Sequence, residues 1–484
     1  MRFDHLLKFL FVSIIVFTIT SQAQQFSGSW SCNYSTYDDE SNGVGINVPS
    51  LGVIKENTFV ALAYSTNGGT DFLVGYTNAD SAKGRMGFYP YNGGWHQHWM
   101  SGFDDVEMTG AISIYATPDS LIYVANNDPE RNILVFKLGA DSVYSSDYRI
   151  STGTDSIWAV TVDGNGVTYV STYPGQGKFG KVLVFNSISK DDNWAGLHTP
   201  NALTTITLPD TGIIRGIATN STGTVLYVSN YSNKKIYCYT GSPSTGYTLY
   251  NGFSFTLNDT MTSIGGTLLN PGPWGLSYMK SKNILFVACA NNFQLGAGYE
   301  YGRIYALNPN TGSILDTIDC AKWNYDHTGG WNQRASGTVG NVSGYASPYN
   351  VAYDENFNIY DQSYFGWTVD KWNFSGTLPT IPLTITSVER SNNLVPDKFE
   401  LSQNYPNPFN PTTTIEFTIS KGSNVTLTIY DINGKLVSKL INSAYFNSGN
   451  YKITFDASKL ASGTYFYELT NGIQQLTRKM SLIK

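Results

Sequence analysis

Leu226-Tyr227-Val228-Ser229-Asn230 is the phrase that most constrains what this chain can fold into, because it recurs. Near copies are Ile122-Tyr123-Val124-Ala125-Asn126, Thr168-Tyr169-Val170-Ser171-Thr172 and Leu285-Phe286-Val287-Ala288-Cys289, with a weaker one at Asn358-Ile359-Tyr360-Asp361 and a distant one at Phe72-Leu73-Val74-Gly75-Tyr76. Each is a short apolar run that meets a small or turn-forming residue, which predicts a strand ending in a turn. A second short strand lies upstream of five of them: Ile112-Ser113-Ile114, Trp158-Ala159-Val160, Arg215-Gly216-Ile217-Ala218, Trp274-Gly275-Leu276 and Tyr349-Asn350-Val351-Ala352. Tight turns such as Asp163-Gly164-Asn165-Gly166, Ser221-Thr222-Gly223 and Asp354-Glu355-Asn356 separate the two. A third strand follows at Ile133-Leu134-Val135-Phe136, Val182-Leu183-Val184-Phe185, Ile236-Tyr237-Cys238-Tyr239 and Ile304-Tyr305-Ala306-Leu307, and a fourth in places, as at Leu203 to Leu208. Sets of four antiparallel strands recurring roughly every 45–75 residues predict the blades of a β-propeller.

The spacing gives six blades, around 59–91, 111–150, 157–208, 214–257, 273–318 and 348–385, or seven if residues 27–57 form one of their own. Ser29-Trp30-Ser31-Cys32-Asn33-Tyr34 reads as an N-terminal strand suited to complete the last blade, since ring closure removes exposed strand edges. In a four-stranded meander, the loops between blades and those joining second to third strands emerge on one face. The longest, Asn92 to Gly110 and Ala321 to Ser347, are of the first kind. They hold Trp95, Trp99, Trp323, His327 and Trp331 beside amides and carboxylates. Flat rings next to Asn and Gln suit a sugar or peptide, although loops this long also need a core of their own. Where the innermost strands enter the central channel stand Ile112, Trp158, Arg215, Trp274 and Tyr349, a set able to plug the channel or to make an aromatic platform.

Composition agrees with an exported β-protein. Charged residues are 14% and hydrophobic residues 41%, with Gly, Asn, Ser, Thr and Tyr filling the remainder. The net charge is −6 without a basic cluster, which argues against nucleic acid as a partner. Arg2 and Lys8, the apolar run Phe9 to Ile19 and Ser21-Gln22-Ala23 predict a secretory signal over residues 1–23, with no transmembrane segment after its cleavage. Export permits disulfides, and Cys289 with Cys320 is the candidate pair; Cys238 and Cys289 also read as small core residues.

The propeller is expected over 24–385, a linker over 386–397, and a second domain over 398–484. There Val425 to Tyr430 alternates strictly, Asp431-Ile432-Asn433-Gly434 turns, and Lys452 to Phe455 and Thr464 to Leu469 follow as strands. Short strands over about 90 residues predict a small immunoglobulin-like β-sandwich, so the whole chain is expected to be all-β. The motifs Leu401-Ser402-Gln403-Asn404-Tyr405-Pro406-Asn407-Pro408-Phe409-Asn410-Pro411, Ile429-Tyr430-Asp431, Gly434-Lys435, Leu460-Ala461-Ser462-Gly463-Thr464-Tyr465 and Lys479-Met480 resemble the type A C-terminal sorting domain of the type IX (Por) secretion system, over about 396–484. That resemblance implies a Bacteroidetes-like source, partnership with the type IX translocon and its sorting peptidase, and release or attachment at the outer-membrane surface. Over about 59–385 the blade phrase resembles YVTN/NHL-type propeller repeats, more loosely. Asp80-Ser81-Ala82, Asp141-Ser142-Val143 and Asp155-Ser156-Ile157 resemble the O-glycosylation triplet of such exported proteins.

Sequence reasoning finds no catalytic set. No Gly-x-Ser-x-Gly elbow and no EF-hand spacing occur. His96 and His98 are a weak metal pair, and no cofactor is indicated. Asp104, Asp105 and Asp326 are the candidates should carboxylates from separate blades serve glycoside hydrolysis. The function expected is an exported propeller binding a surface glycan or protein without catalysis. The alternatives are a propeller polysaccharide lyase, glycoside hydrolase or lactonase, and a structural surface component.

Overall fold

A computed structural model describes residues 26–37, 46–54, 57–64, 72–76, 112–119, 121–126, 132–138, 144–153, 156–173, 175, 177–187, 196–259, 261–262, 268–290, 301–327, 348–363, 368–385, 388–392, 398–420, 423–446 and 449–484. β1 (Trp30–Tyr37) is separated in sequence from the sheet it completes. β2 (Ile46–Ile54), β3 (Asn57–Tyr64) and β4 (Phe72–Tyr76) form the first sheet. β5 (Ser113–Ala116), β6 (Leu121–Ala125), β7 (Ile133–Leu138) and β8 (Tyr144–Ile150) form the second. The third contains β9 (Ser156–Val162), β10 (Thr168–Tyr173), β11 (Phe179–Phe185) and β13 (Thr204–Thr211), while β12 (Gly196–His198) runs parallel beside β8. β14 (Ile214–Thr219), β15 (Val225–Asn230), β16 (Lys235–Ser242) and β17 (Gly246–Leu249) form the fourth, with β18 (Phe255–Thr256) also on β16. A small hairpin of β19 (Met261–Thr262) and β20 (Leu268–Leu269) precedes the fifth sheet, β21 (Gly272–Met279), β22 (Ile284–Ala290), β23 (Gly302–Leu307) and β24 (Ile314–Asp319). After α1 (Cys320–His327) come β25 (Pro348–Tyr353), β26 (Ile359–Ser363) and β27 (Thr368–Phe374), to which β1 adds the outer strand of the sixth sheet.

The first strands of these sheets, β2, β5, β9, β14, β21 and β25, pack side by side in that order, and β25 packs back on β2. The ring is therefore closed, as a β-propeller requires. The recurrent phrase supplies the second strands, and its residues have separate tasks. Its aromatics Tyr123, Tyr169, Tyr227, Phe286 and Tyr360 are at most 1% exposed, wedged between neighbouring sheets. The Tyr169 and Tyr360 hydroxyls donate to the turn carboxylates Asp163 (3.3 Å) and Asp354 (3.0 Å) of their own sheets. Ser229 ties sheet to sheet: its Oγ accepts the Gly216 N–H and donates to the Trp274 carbonyl, each at 2.6 Å. Where the ring closes, Ser50 Oγ accepts from Asn350 Nδ2 (2.7 Å) and from the Ile114 N–H (2.9 Å), linking the sixth, first and second sheets.

Three details differ from the sequence reading. The inner strand of the first sheet is β2, upstream of the expected window, and Phe72 to Tyr76 is a third strand. Its register shifts between Asn47 and Ser50, next to Pro49, and the Lys55-Glu56 connection has no Gly or Asn, so the usual signals are missing. Cys289 and Cys320 are not paired; all four cysteines are free thiols. They face opposite sides of the fifth sheet, Cys289 with Tyr301 and Tyr305, Cys320 with Ile304 and Ile318. Finally, part of the interval expected as linker is β28 (Val388–Asn392), an edge strand on the C-terminal domain.

That domain contains β29 (Glu400–Leu401), β30 (Thr412–Ile419), β31 (Ser423–Asp431), β32 (Leu436–Phe446), β33 (Gly449–Asp456), β34 (Gly463–Thr470) and β35 (Gln475–Leu482). Its two sheets, ordered β28-β33-β30-β29 and β32-β31-β34-β35, share one core that includes Ile415, Phe417, Ile453, Leu427, Ile429 and Tyr467. Among the described residues no helix is long and apolar enough to cross a membrane.

Candidate functional site

A cavity of about 560 Å³ follows the axis of the ring and is walled by all six inner strands. Its two ends differ in chemistry. At the end where the inner strands begin, Trp158, Arg215, Trp274 and Tyr349 come from β9, β14, β21 and β25, four consecutive sheets. They form one continuous stack. The Arg215 guanidinium carbon lies 3.6 Å from the Trp158 ring centroid and 4.1 Å from that of Trp274. Trp274 in turn stacks on Tyr349 with centroids 3.8 Å apart and planes 20° from parallel. Tyr231 meets the Trp274 edge at 5.0 Å. A desolvated cation between two indoles gains about 2 kcal/mol or more per favourable contact, so this arc is rigid. Arg215 is 8% exposed and Tyr349 3%, while Trp158 keeps more of its face open.

Small residues after the stacked ones make this approach possible. A Cβ on Gly216 would lie 2.4 Å from the Trp274 carbonyl oxygen, and one on Gly275 would lie 2.6 Å from that of Tyr349. The inner strands touch through their backbones there.

Lys280, Tyr115 and Tyr353 occupy the opposite end. The Lys280 ammonium donates to the Val162 carbonyl at 3.0 Å and lies 5.8 Å from the Tyr115 ring centroid. Tyr353 donates to the Tyr278 carbonyl and accepts the Lys280 backbone N–H, both at 3.1 Å. Burial lowers the Lys280 pKa from its ordinary value, against opposing pulls from Tyr353 and Asp163. Burial also raises the Tyr353 phenol, up to about 12.

The structure thus brings together Trp158, Arg215, Trp274 and Tyr349, with Ile112 beside them. Trp323 is elsewhere: it lies in α1, edge-on to Trp372 at 5.5 Å, as part of the packing between the fifth and sixth sheets. His327 is the last residue of α1. Asp326 pairs with Lys322 one helical turn away, which accounts for its carboxylate. Trp95, His96, His98, Trp99, Asp104, Asp105 and Trp331 lie outside the described residues. Among the described residues no three His, Cys, Asp or Glu side chains gather as a metal site. Sequence reasoning missed Lys280 and Tyr353. Lys280 lies just past the end of β21, and the register of β21 and of β25 shifts beside Trp274 and Tyr349, so no period-2 count from the stacked residues leads to either position.

Ring and cavity together make the larger part of this chain a β-propeller with an axial pocket. Residues 403–484 match the secretion system C-terminal sorting domain, which indicates export through the type IX system to the cell surface or extracellular space. No curated protein matches the chain in sequence. Among solved structures it is similar to a periplasmic gluconolactonase from Pseudomonas aeruginosa (10% identity, 84% of this chain and 88% of that one, TM-score 0.39). It is similar also to a gluconolactonase from Xanthomonas campestris (10%, 73% and 91%, 0.37) and to the calcium-binding protein regucalcin from Agrobacterium tumefaciens (10%, 73% and 94%, 0.36). Likeness this distant carries no activity to the present chain.

Proposed function

We propose that this chain is an exported binding protein: a six-bladed propeller over residues 24–385 whose axial cavity takes the end of a surface glycan. A cleaved signal over residues 1–23 and an immunoglobulin-like sorting domain handled by the type IX translocon and its peptidase complete the design. The observation that carries the reading is the Trp158-Arg215-Trp274-Tyr349 stack walling a cavity of about 560 Å³. Small-molecule sites typically enclose about 300–1,000 Å³, apolar walls and a few fixed polar groups. The open side of the Trp158 indole suits the apolar face of a sugar, and a clamped guanidinium supplies directional donors.

A glycan array probed with the full chain tests this. Retention of a glycan is expected, with affinity falling about tenfold or more in Trp158→Ala. Trp158 is the variant of choice because its ring is less buried than those of Trp274 and Tyr349. Absence of any retained glycan, or retention indifferent to that change, would remove the reading and leave a protein ligand to be sought by pull-down. A glycosidase would instead need two carboxylates about 5–10 Å apart, and hydrolysis of a polysaccharide by the full chain would replace binding with catalysis.

A further inference from the structure

We infer that the ligand of the axial cavity is an acidic saccharide, a uronic acid whose carboxylate sits against Lys280. This rests on the binding reading above and adds the charge of what is bound. Lys280 follows the last residue of β21 and belongs to the fifth sheet. Its Nζ ends on the third sheet, at the Val162 carbonyl 3.0 Å away. On the way it lies 5.8 Å from the Tyr115 ring of the second sheet, and its backbone N–H is held by Tyr353 of the sixth at 3.1 Å. The side chain therefore crosses the axis as a bar at the end of the cavity opposite the aromatic stack.

An ammonium placed among aliphatic and phenolic side chains is costly unless an anion or several acceptors face it. Lys280 forms no ion pair with any described residue. The carboxylates near it are engaged in turns. Asp163 accepts from the Asn165 (2.7 Å) and Val167 (3.0 Å) N–H groups and from Tyr169 (3.3 Å). Asp354 accepts from the Asn356 and Asn358 N–H groups, both at 2.9 Å, and from the Asn358 amide and Tyr360. Glu355 also lines this end and is exposed at the rim. An ammonium has three donors, and the Val162 carbonyl takes one, so a carboxylate entering along the axis finds donors directed at it. From Trp274 to Lys280 the strand spans about 20 Å at ~3.3 Å per residue. A saccharide end entering past the aromatic arc would therefore meet stacking first and the cation last.

Calorimetric titration of the full chain with four-sugar oligosaccharides that end in glucuronate, in galacturonate or in glucose, and with acetate, decides the matter. The uronate-ended probes are expected to bind about tenfold or more tighter than the glucose-ended one, and tighter than acetate. Lys280→Met should abolish the preference for uronate over glucose, and Lys280→Arg should retain most of it. Lys280→Gln serves as the neutral variant if the Met protein fails to fold. Equal binding of the uronate-ended and glucose-ended probes, or a preference that survives both neutral variants, overturns the assignment of charge while leaving the glycan reading standing. Acetate binding as tightly as the uronate-ended probes overturns the saccharide part. Failure of every probe sinks the glycan reading with it.

Discussion

The Ser229 hydroxyl accepts the Gly216 N–H and donates to the Trp274 carbonyl, each at 2.6 Å, so one side chain joins β14, β15 and β21. Contact is close enough that position 216 tolerates no side chain. A methyl there would sit 2.4 Å from the Trp274 oxygen and 2.8 Å from the Leu276 nitrogen, both backbone atoms that cannot swing aside. Gly216→Ala is expected to destabilise the propeller by about 1–3 kcal/mol, the usual cost of overpacking, and to loosen the arginine stack beside it. Urea unfolding followed by tryptophan fluorescence checks both, and an unchanged midpoint would refute the close-contact argument. Lys280 gives a prediction about pH. Its folded pKa is lowered from 10.5 by burial, so between the folded and unfolded values the unfolded chain holds more protons. Stability contributed at this residue therefore rises as pH climbs toward that upper value, and the cost of the charged amine is complete below the window. The stability difference between Lys280→Met and the unmodified chain, measured in urea from about pH 7 to 10, should narrow only at the alkaline end. A difference that stays constant would mean that the amine is solvated rather than enclosed.

β1 is the element on which ring closure depends. It pairs with β27 from Trp30↔Phe374 to Tyr37↔Thr368, and Trp30 Nε1 donates to Asp316 of the fifth sheet at 2.9 Å. Deleting residues 24–37 bares the β27 edge, which becomes a template for another chain. The truncated protein is expected to elute as oligomers in size-exclusion chromatography with light scattering, and a clean monomer would show that closure does not need this strand. Much of this was legible from residues. The recurrent phrase marks the second strands because its aromatic must be buried between sheets, and at Ser229 the small residue that follows also ties one sheet to the next. Counting back from it located Trp158, Arg215, Trp274 and Tyr349 at the axis. The hidden parts lacked a local signal. β2 shifts register beside Pro49 and is followed in sequence by Lys55-Glu56 rather than by Gly, while β28 is a short strand at a sheet edge between prolines. Cys289 and Cys320 are close in sequence order along the sheet, yet which side each faces depends on the pleat and on the start of α1. Lys280 follows a strand end, where the sequence reads as a turn, and only the ring shows that its side chain spans to the third sheet.

At the scale of the molecule the chain has two independent cores joined by a strap. Residues 378–385 leave β27 and run along the turns of the fifth sheet. The Ile381 N–H donates to the Lys282 carbonyl at 2.8 Å, and Asn283 Nδ2 donates back to the Ile381 carbonyl at 3.0 Å. Asn310 Nδ2 donates to the Pro382 carbonyl at 2.8 Å, and its Oδ1 accepts the Thr384 N–H at 2.7 Å. Leu378 and Ile385 are 4% and 8% exposed within propeller clusters, whereas the sandwich core is drawn entirely from Phe399 onward. The propeller clusters therefore reach as far as Ile385, and the strand that edges the C-terminal sheets begins at Val388, ahead of the matched sorting domain at 403–484. Two truncations separate export from folding. A chain ending at Ser387 keeps the strap, and in a host with the type IX system it should fold, melt as the propeller does in the full chain, and remain inside the outer membrane. A chain ending at Thr377 also loses Leu378 and Ile385, each worth about 1.5–3 kcal/mol when buried, and should melt at a clearly lower temperature. Culture fractionation and calorimetry of both proteins read these outcomes separately. Secretion of the first chain would show that the address lies outside the sandwich. Equal melting of the two would show that the strap is a passive tether.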